Sequence, residues 1–147
     1  MSTLADVDRI GSQDSYLAVA VTTGADGSPQ VSVVNAGVVD HPITGEPRVA
    51  LVARGDSVKL TNLRRHPQAS LVFRAGWDWV AVSGPAELAG PDDPVDGLDA
   101  EGLRRLLRDV FHAAGGHHDD LEEYDRVMAA ERRTAVLVTP ERIHSNG

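Results

Sequence analysis

The stretch Arg54-Gly-Asp-Ser-Val-Lys-Leu-Thr-Asn-Leu-Arg-Arg-His-Pro-Gln-Ala-Ser-Leu-Val-Phe73 decides the reading of this chain. It reads as a strand end, a tight turn, a short helix opened by Ser57 or Asp56, a stop at His66-Pro67, and a new strand from Gln68 to Arg74. Lys59, inside it, is the single lysine among fourteen basic residues; the other thirteen are arginines. A helix start that offers free backbone N–H groups, the Ser57 hydroxyl, an ammonium and the nearby guanidinium of Arg54 is chemically suited to phosphate.

Before this stretch, residues 3–13 predict a helix with Thr3 as N-cap, Asp6 at the capping-box position, and Leu4, Val7 and Ile10 on one face. The valine-rich runs Tyr16 to Thr23 and Pro29 to Ala36 bracket the turn former Gly24-Ala-Asp-Gly-Ser28 and predict an antiparallel hairpin. A third strand, Arg48 to Ala53, leads into the quoted stretch, and a fourth, Ala69 to Arg74, leaves it. The fifth, Trp77 to Leu88, is long, with Gly84-Pro85 marking a bend that lets a curved sheet turn a corner.

The acidic, Pro- and Gly-rich run 90–97 reads as a loop separating sheet from helices. Leu103, Leu106, Leu107, Val110, Phe111 and Ala114 then recur at helical spacing, up to Gly115-Gly116. A second helix, capped by Asp119 or Asp120, buries Leu121, Tyr124, Val127 and Met128. A last strand, Thr134 to Thr139, ends at Pro140, with 141–145 as a tail or a continuation. Six strands, largely antiparallel, with helices added late, predict a small closed or nearly closed barrel in one domain, residues 1–147. No Gly-x-Gly-x-x-Gly follows a strand, so a doubly wound dinucleotide fold has no support.

Composition narrows the function classes. A net charge of -8 argues against a nucleic-acid partner, and no apolar run is long enough for a membrane span, so a cytoplasmic protein is expected. Without cysteine there is no thiol nucleophile or thiolate metal site, and redox chemistry would need a borrowed cofactor. The charge is uneven: residues 54–74 hold five basic residues against one acid, whereas 90–131 hold twelve acids against four arginines.

These motifs together carry a resemblance. Gly27-Ser-Pro-Gln-Val31, the Lys59, Asn62, Pro67, Ser70 spacing, Ser83-Gly84 on the long strand, and Arg132-Arg-Thr-Ala-Val-Leu-Val-Thr-Pro140 resemble the pyridoxamine-phosphate-oxidase-like FMN-binding split barrels, and within them the actinobacterial flavin/deazaflavin oxidoreductases that use coenzyme F420. The resemblance implies a mainly β, six-stranded split barrel with added helices, forming a homodimer with cofactor grooves between subunits. It implies a cofactor phosphate near Lys59 and Ser57, with Arg54 as a second positive contact, and a ring against Val33, Val34, Asn35 and the strand from Val49 to Val52. The partner is expected to contribute its Trp77–Trp79 region and the tail around His144. The implied activity is hydride transfer between F420 and a small organic substrate, with no catalytic side chain assigned, because the cofactor carries the chemistry. FMN is the alternative cofactor, for an FMN-dependent oxidoreductase or flavin reductase; a non-catalytic cofactor- or haem-binding protein is a second alternative. The chain lacks the C-terminal tryptophan–arginine pattern of the vitamin oxidases, which argues against that substrate.

Several residues keep two readings. Ser57 serves equally as helix cap and phosphate donor; Asn62 either contacts the cofactor or bonds the preceding loop. Trp77 and Trp79, on one strand face, suit packing or a dimer seam as well as stacking on a ring. Arg132-Arg133 could meet an anionic cofactor tail or the acidic helix before it. The His112, His117-His118 cluster has ligand types but no familiar metal spacing, and reads better as a capping loop.

Overall fold

A computed structural model describes residues 2–147. Helix α1 (Leu4–Gly11) opens as expected, the Asp6 carboxylate accepting from the Thr3 N–H at 2.8 Å, and buries Val7 and Ile10. Strands β1 (Leu17–Thr23) and β2 (Pro29–Asn35) form the hairpin, in register from Leu17 opposite Asn35 to Thr23 opposite Pro29. Next come β3 (Gly37–Asp40), β4 (Pro47–Ala53), helix α2 (Val58–Arg65), β5 (Gln68–Ala75) and the long β6 (Asp78–Ala89). Helices α3 (Ala100–Ala113) and α4 (Leu121–Ala130) precede β7 (Thr134–Val138) and β8 (Arg142–Ser145).

Among the described residues the sheet has eight strands rather than six, all neighbours antiparallel, in the order β2-β1-β5-β6-β7-β4-β3, with β8 pairing β6. The two additions are four-residue segments, β3 following the hairpin directly and β8 in the tail. Both are too short to show an alternating pattern of their own.

Strand β6 makes the barrel. Its first part pairs β5 and β8, its last four residues pair β7, and the change of partner falls at Gly84-Pro85. A Cβ at Gly84 would collide with the Thr139 carbonyl oxygen, so only glycine lets β6 pass this close to the chain leaving β7. Because β2 and β3 end the strand path without pairing, the barrel is split and β2 keeps a free edge.

Two apolar clusters result. Inside the barrel, Val7, Ile10, Leu51, Leu60, Leu63, Leu71, Phe73, Val80 and Val82 pack as one body. Outside it, Leu106, Leu107 and Val110 of α3 cover Ala50 and Leu137. Each fully buried aliphatic side chain contributes about 1.5–3 kcal/mol of transfer free energy. Strand β4 lies between the clusters, so Val49, Ala50 and Leu51 are buried on both faces. That burial removes Val49 to Leu51 from the ring-facing surface that the resemblance implies; only Val52 of that run reaches an open cleft. Among the described residues no helix is long and apolar enough to cross a membrane.

Candidate functional site

The cleft is built around the β4–α2 corner. The Ser57 N–H donates to the Arg54 carbonyl at 3.1 Å, making a tight turn, and the Ser57 Oγ accepts from the Leu60 N–H at 3.4 Å to cap α2. The hydroxyl proton of Ser57 has no acceptor in the turn and stays available to a ligand. One residue into the helix, Lys59 is partly buried and points to the same cleft. Among the described residues no carboxylate lies within ion-pair reach of its ammonium. Burial alone pushes its pKa below the usual lysine value.

The cleft encloses about 500 Å³. Its floor and one wall come from Val52, Ala53 and Arg54 of the β4 end and from Val33, Val34 and Asn35 of β2. Since β2 pairs only with β1, its other edge carries backbone N–H and C=O groups with no strand partner. Asn35 is fixed by donating its Nδ2 to the Ser15 carbonyl at 2.8 Å. The opposite wall is helical: Val110, Phe111 and Ala114 of α3 with Tyr124 and Met128 of α4, and Arg133 at the foot of β7. Phe111 and Tyr124 pack with ring centroids 4.6 Å apart, and the Tyr124 hydroxyl donates to the Leu107 carbonyl at 3.0 Å. That burial pushes the Tyr124 phenol up to about 12, so it stays neutral at any physiological pH.

Seven of the ten sequence-predicted residues therefore meet in one cleft: Lys59, Ser57, Arg54, Val33, Val34, Asn35 and Val52. The other three lie elsewhere. Asn62 is buried beneath α2 and donates to Thr22 Oγ1 at 3.2 Å, which in turn donates to Gln30 Oε1 at 3.1 Å; it ties the helix to the hairpin rather than lining the cleft. Trp77 is 92% exposed at the β5–β6 turn. Trp79 stands edge-on to His144, 5.5 Å between ring centroids, over a separate depression, and Asn146 ties the backbone of both tryptophans to the tail. Neither indole lines the cleft.

The helical wall escaped the sequence reading. Phe111, Tyr124 and Met128 sit at core-type spacing, and helical periodicity does not separate a face turned to the core from one turned to a cleft. Of the histidines near it, His118 Nδ1 accepts from the Asp120 N–H at 3.0 Å and His117 meets exposed Asp119, a loop that opens α4. Among the described residues no group of three or more His, Asp or Glu gathers as a metal site. In chemical terms the cleft can hold a flat apolar body between an edge strand and aromatic helices, with an anionic group at the Lys59 end.

An open antiparallel barrel with a cleft of this build defines a split-barrel protein. The family model of pyridoxamine 5'-phosphate oxidase matches residues 10–147, and the chain belongs to that family. No curated protein matches the sequence. Among solved structures, a conserved hypothetical protein, Rv2991, from Mycobacterium tuberculosis is similar with a TM-score of 0.69 and 22% identity, over 99% of this chain and 84% of that one. A pyridoxamine 5'-phosphate oxidase-related, FMN binding protein from Nostoc punctiforme is similar at 0.64 and 12%, over 99% and 86%. A heme binding protein from Mycobacterium smegmatis is similar at 0.64 and 15%, over 100% of this chain but 55% of that one. At these identities the likeness is one of fold.

Proposed function

We propose that this protein is a flavin-type oxidoreductase that holds FMN in the cleft between β2, the β4–α2 corner and the α3–α4 wall. The observation that carries the reading is Lys59: an ammonium partly withdrawn from water, with no carboxylate to balance it, beside a free hydroxyl at a helix start. An unbalanced charge in that position lowers stability unless a ligand anion answers it. Among the relatives named above, one is named for FMN and none for a deazaflavin, so FMN stands ahead of F420 as the cofactor.

In this reading Lys59, Ser57 and Arg54 hold the phosphate, while Val33, Val52 and Phe111 exclude water from the ring. The free edge of β2 offers backbone hydrogen bonds to the polar rim of the ring. A bound flavin would supply hydride transfer to a small organic acceptor; the chain's own part is to bind, orient and shield.

The reading includes a homodimer. Val33 is both cleft wall and 67% exposed, and it continues outward into Val31, Val19 and Leu17, an apolar face that a second copy would cover. The partner's cover would bring its own exposed indole at Trp77 to bear on the groove.

The Mycobacterium smegmatis relative gives a second reading, a haem- or cofactor-holding protein without turnover. Titration of the purified protein with FMN, F420 and haem, followed by absorbance and tryptophan quenching, separates these. Preferential FMN binding with turnover of the reduced form supports the proposal. Haem binding alone would sink it, F420 binding alone would return the deazaflavin to first place, and light scattering that shows only monomers would remove the dimer.

A further inference from the structure

The chain reverses direction between α4 and β7 through Glu131, Arg132 and Arg133, and this turn is locked to the phosphate-side corner. The Gly55 N–H donates to the Glu131 carbonyl at 3.1 Å. A Cβ at Gly55 would lie 2.7 Å from Arg132 Cβ and 2.8 Å from the Arg132 carbonyl oxygen, so glycine is what lets the two turns touch. Arg132 sits at φ 50, a left-handed conformation unfavourable for a residue with a side chain. The effect of that reversal is to send two consecutive arginines in opposite directions. Arg132 goes outward, its Nε donating to Asp92 at 3.0 Å, and Arg133 goes into the cleft wall.

Inside, Glu131 braces two guanidiniums. Its carboxylate accepts from Arg133 Nε at 2.9 Å and lies 3.8 Å from Arg54 Nη1, yet Glu131 does not itself line the cleft. With Nε occupied from behind, the two Nη groups of Arg133 have no acceptor among the described residues. A guanidinium can serve both edges in this way, which an ammonium cannot. Arg54 is flanked by Asp56 at 3.4 Å, but that carboxylate is well exposed and screened by water.

We infer that Arg133 is a third cation of the anion site, beside Lys59 and Arg54, and that it makes the cleft select a doubly charged phosphate monoester over a singly charged phosphate diester. The inference rests on the phosphate reading of the cleft and sharpens it, because a monoester carries about -1.5 to -2 charges at neutral pH while a diester has one ionised oxygen to share among three cations. Arg133 is a specificity determinant, and Glu131 a positioning residue that holds Arg133 and Arg54 side by side.

The test titrates the full-length protein with methyl phosphate and with dimethyl phosphate, following the arginine Nε–H and backbone resonances by NMR, for wild type, Arg133→Gln, Arg132→Gln and Lys59→Gln. In wild type the Arg133 Nε–H resonance is expected to move, with methyl phosphate favoured about ten-fold or more, the effect of one charge-assisted hydrogen bond. Arg133→Gln is expected to collapse that preference, whereas Arg132→Gln, which removes the same charge from the neighbouring position, keeps it. An equal loss in both arginine variants would reduce the effect to bulk charge and overturn the inference, as would an unchanged preference in Arg133→Gln or a still Arg133 resonance in wild type. If Arg133→Gln does not fold, the wild-type resonance decides alone. A protein that discriminates the two phosphates but takes up no FMN would keep the inference and refute the cofactor reading; one that binds FMN without discriminating them would do the reverse.

Discussion

On the α3–α4 side of the cleft, Arg108 gives Nε to Asp125 at 2.9 Å and Arg104 gives Nη1 to the same carboxylate at 3.1 Å, while at the β4–α2 corner Lys59 meets no carboxylate among the described residues. Both regions take charge partly out of water, and they resolve it differently. Between the helices each charge is answered within the fold: the Arg108 and Arg104 hydrogen bonds hold the Asp125 carboxyl below its usual range, and the pairing fastens α4, which carries Tyr124 and Met128, to α3. At the corner the charge is left open, and burial pushes the Lys59 pKa down with nothing opposing it. On the proposed reading, the contrast separates a structural electrostatic contact from one kept for a ligand. The first adds to stability in the empty protein; the second detracts from it until an anion arrives.

Neutralising each side in turn tests that contrast. Lys59→Met is expected to weaken FMN binding roughly 10- to 100-fold, the worth of one charge-assisted hydrogen bond, as read by fluorescence quenching. The same variant is expected to melt no lower than wild type without ligand, because folding disfavours the charged form of Lys59; a large drop in Tm would assign the lysine to the fold. Asp125→Asn is the mirror case, expected to cost about 1–2 kcal/mol of stability in denaturant unfolding. Since the folded state lowers the Asp125 pKa, its stabilisation is present at neutral pH and is lost as pH falls below about 4. Wild type and Asp125→Asn should therefore converge in acid, and a constant gap would break the assignment.

Smaller effects are expected away from these centres. Tyr124→Phe removes a buried hydrogen bond to Leu107 and should lower stability by about 1 kcal/mol with little change in cofactor affinity, measured by thermal melts and titration together. Arg64→Gln breaks the bidentate pair in which Nε and Nη2 reach the Asp93 carboxylate at 3.0 and 2.7 Å, and should cost no more than about 1 kcal/mol. A loss of FMN affinity in Arg64→Gln would show that the anion site extends further along α2 than Lys59.

How much of this was legible follows from the length scale of each feature. Ser57, Lys59 and Arg54 could be grouped from sequence because one turn and one helix start hold them together, whereas Val33 to Asn35 came from the family resemblance, since alternation along β2 turns neighbouring residues to opposite faces. Asn62 keeps two readings in the sequence because its place in the motif gives its neighbours but not its face; the helix turns it under toward Thr22. Trp79 lies on β6 and Trp77 in the turn before it, and since no residue of β6 lines the cleft, both stand beside the tail instead. The helical wall was invisible because Phe111 and Tyr124 obey the same periodicity as core residues. Arg133 differed from Arg132 only through the left-handed turn at Arg132, which a run of two arginines does not announce. The eight-strand count exceeded six because β3 and β8 take their strand form from their partners β4 and β6.

The central claim is that the open charge at Lys59 exists to hold a phosphate. Calorimetric titration of wild type and Lys59→Met with FMN and with riboflavin, which differ only in that phosphate, tests it directly. Wild type is expected to prefer FMN by at least about ten-fold and Lys59→Met to lose most of that preference; equal affinity of wild type for the two ligands, or a preference untouched by the substitution, would contradict it.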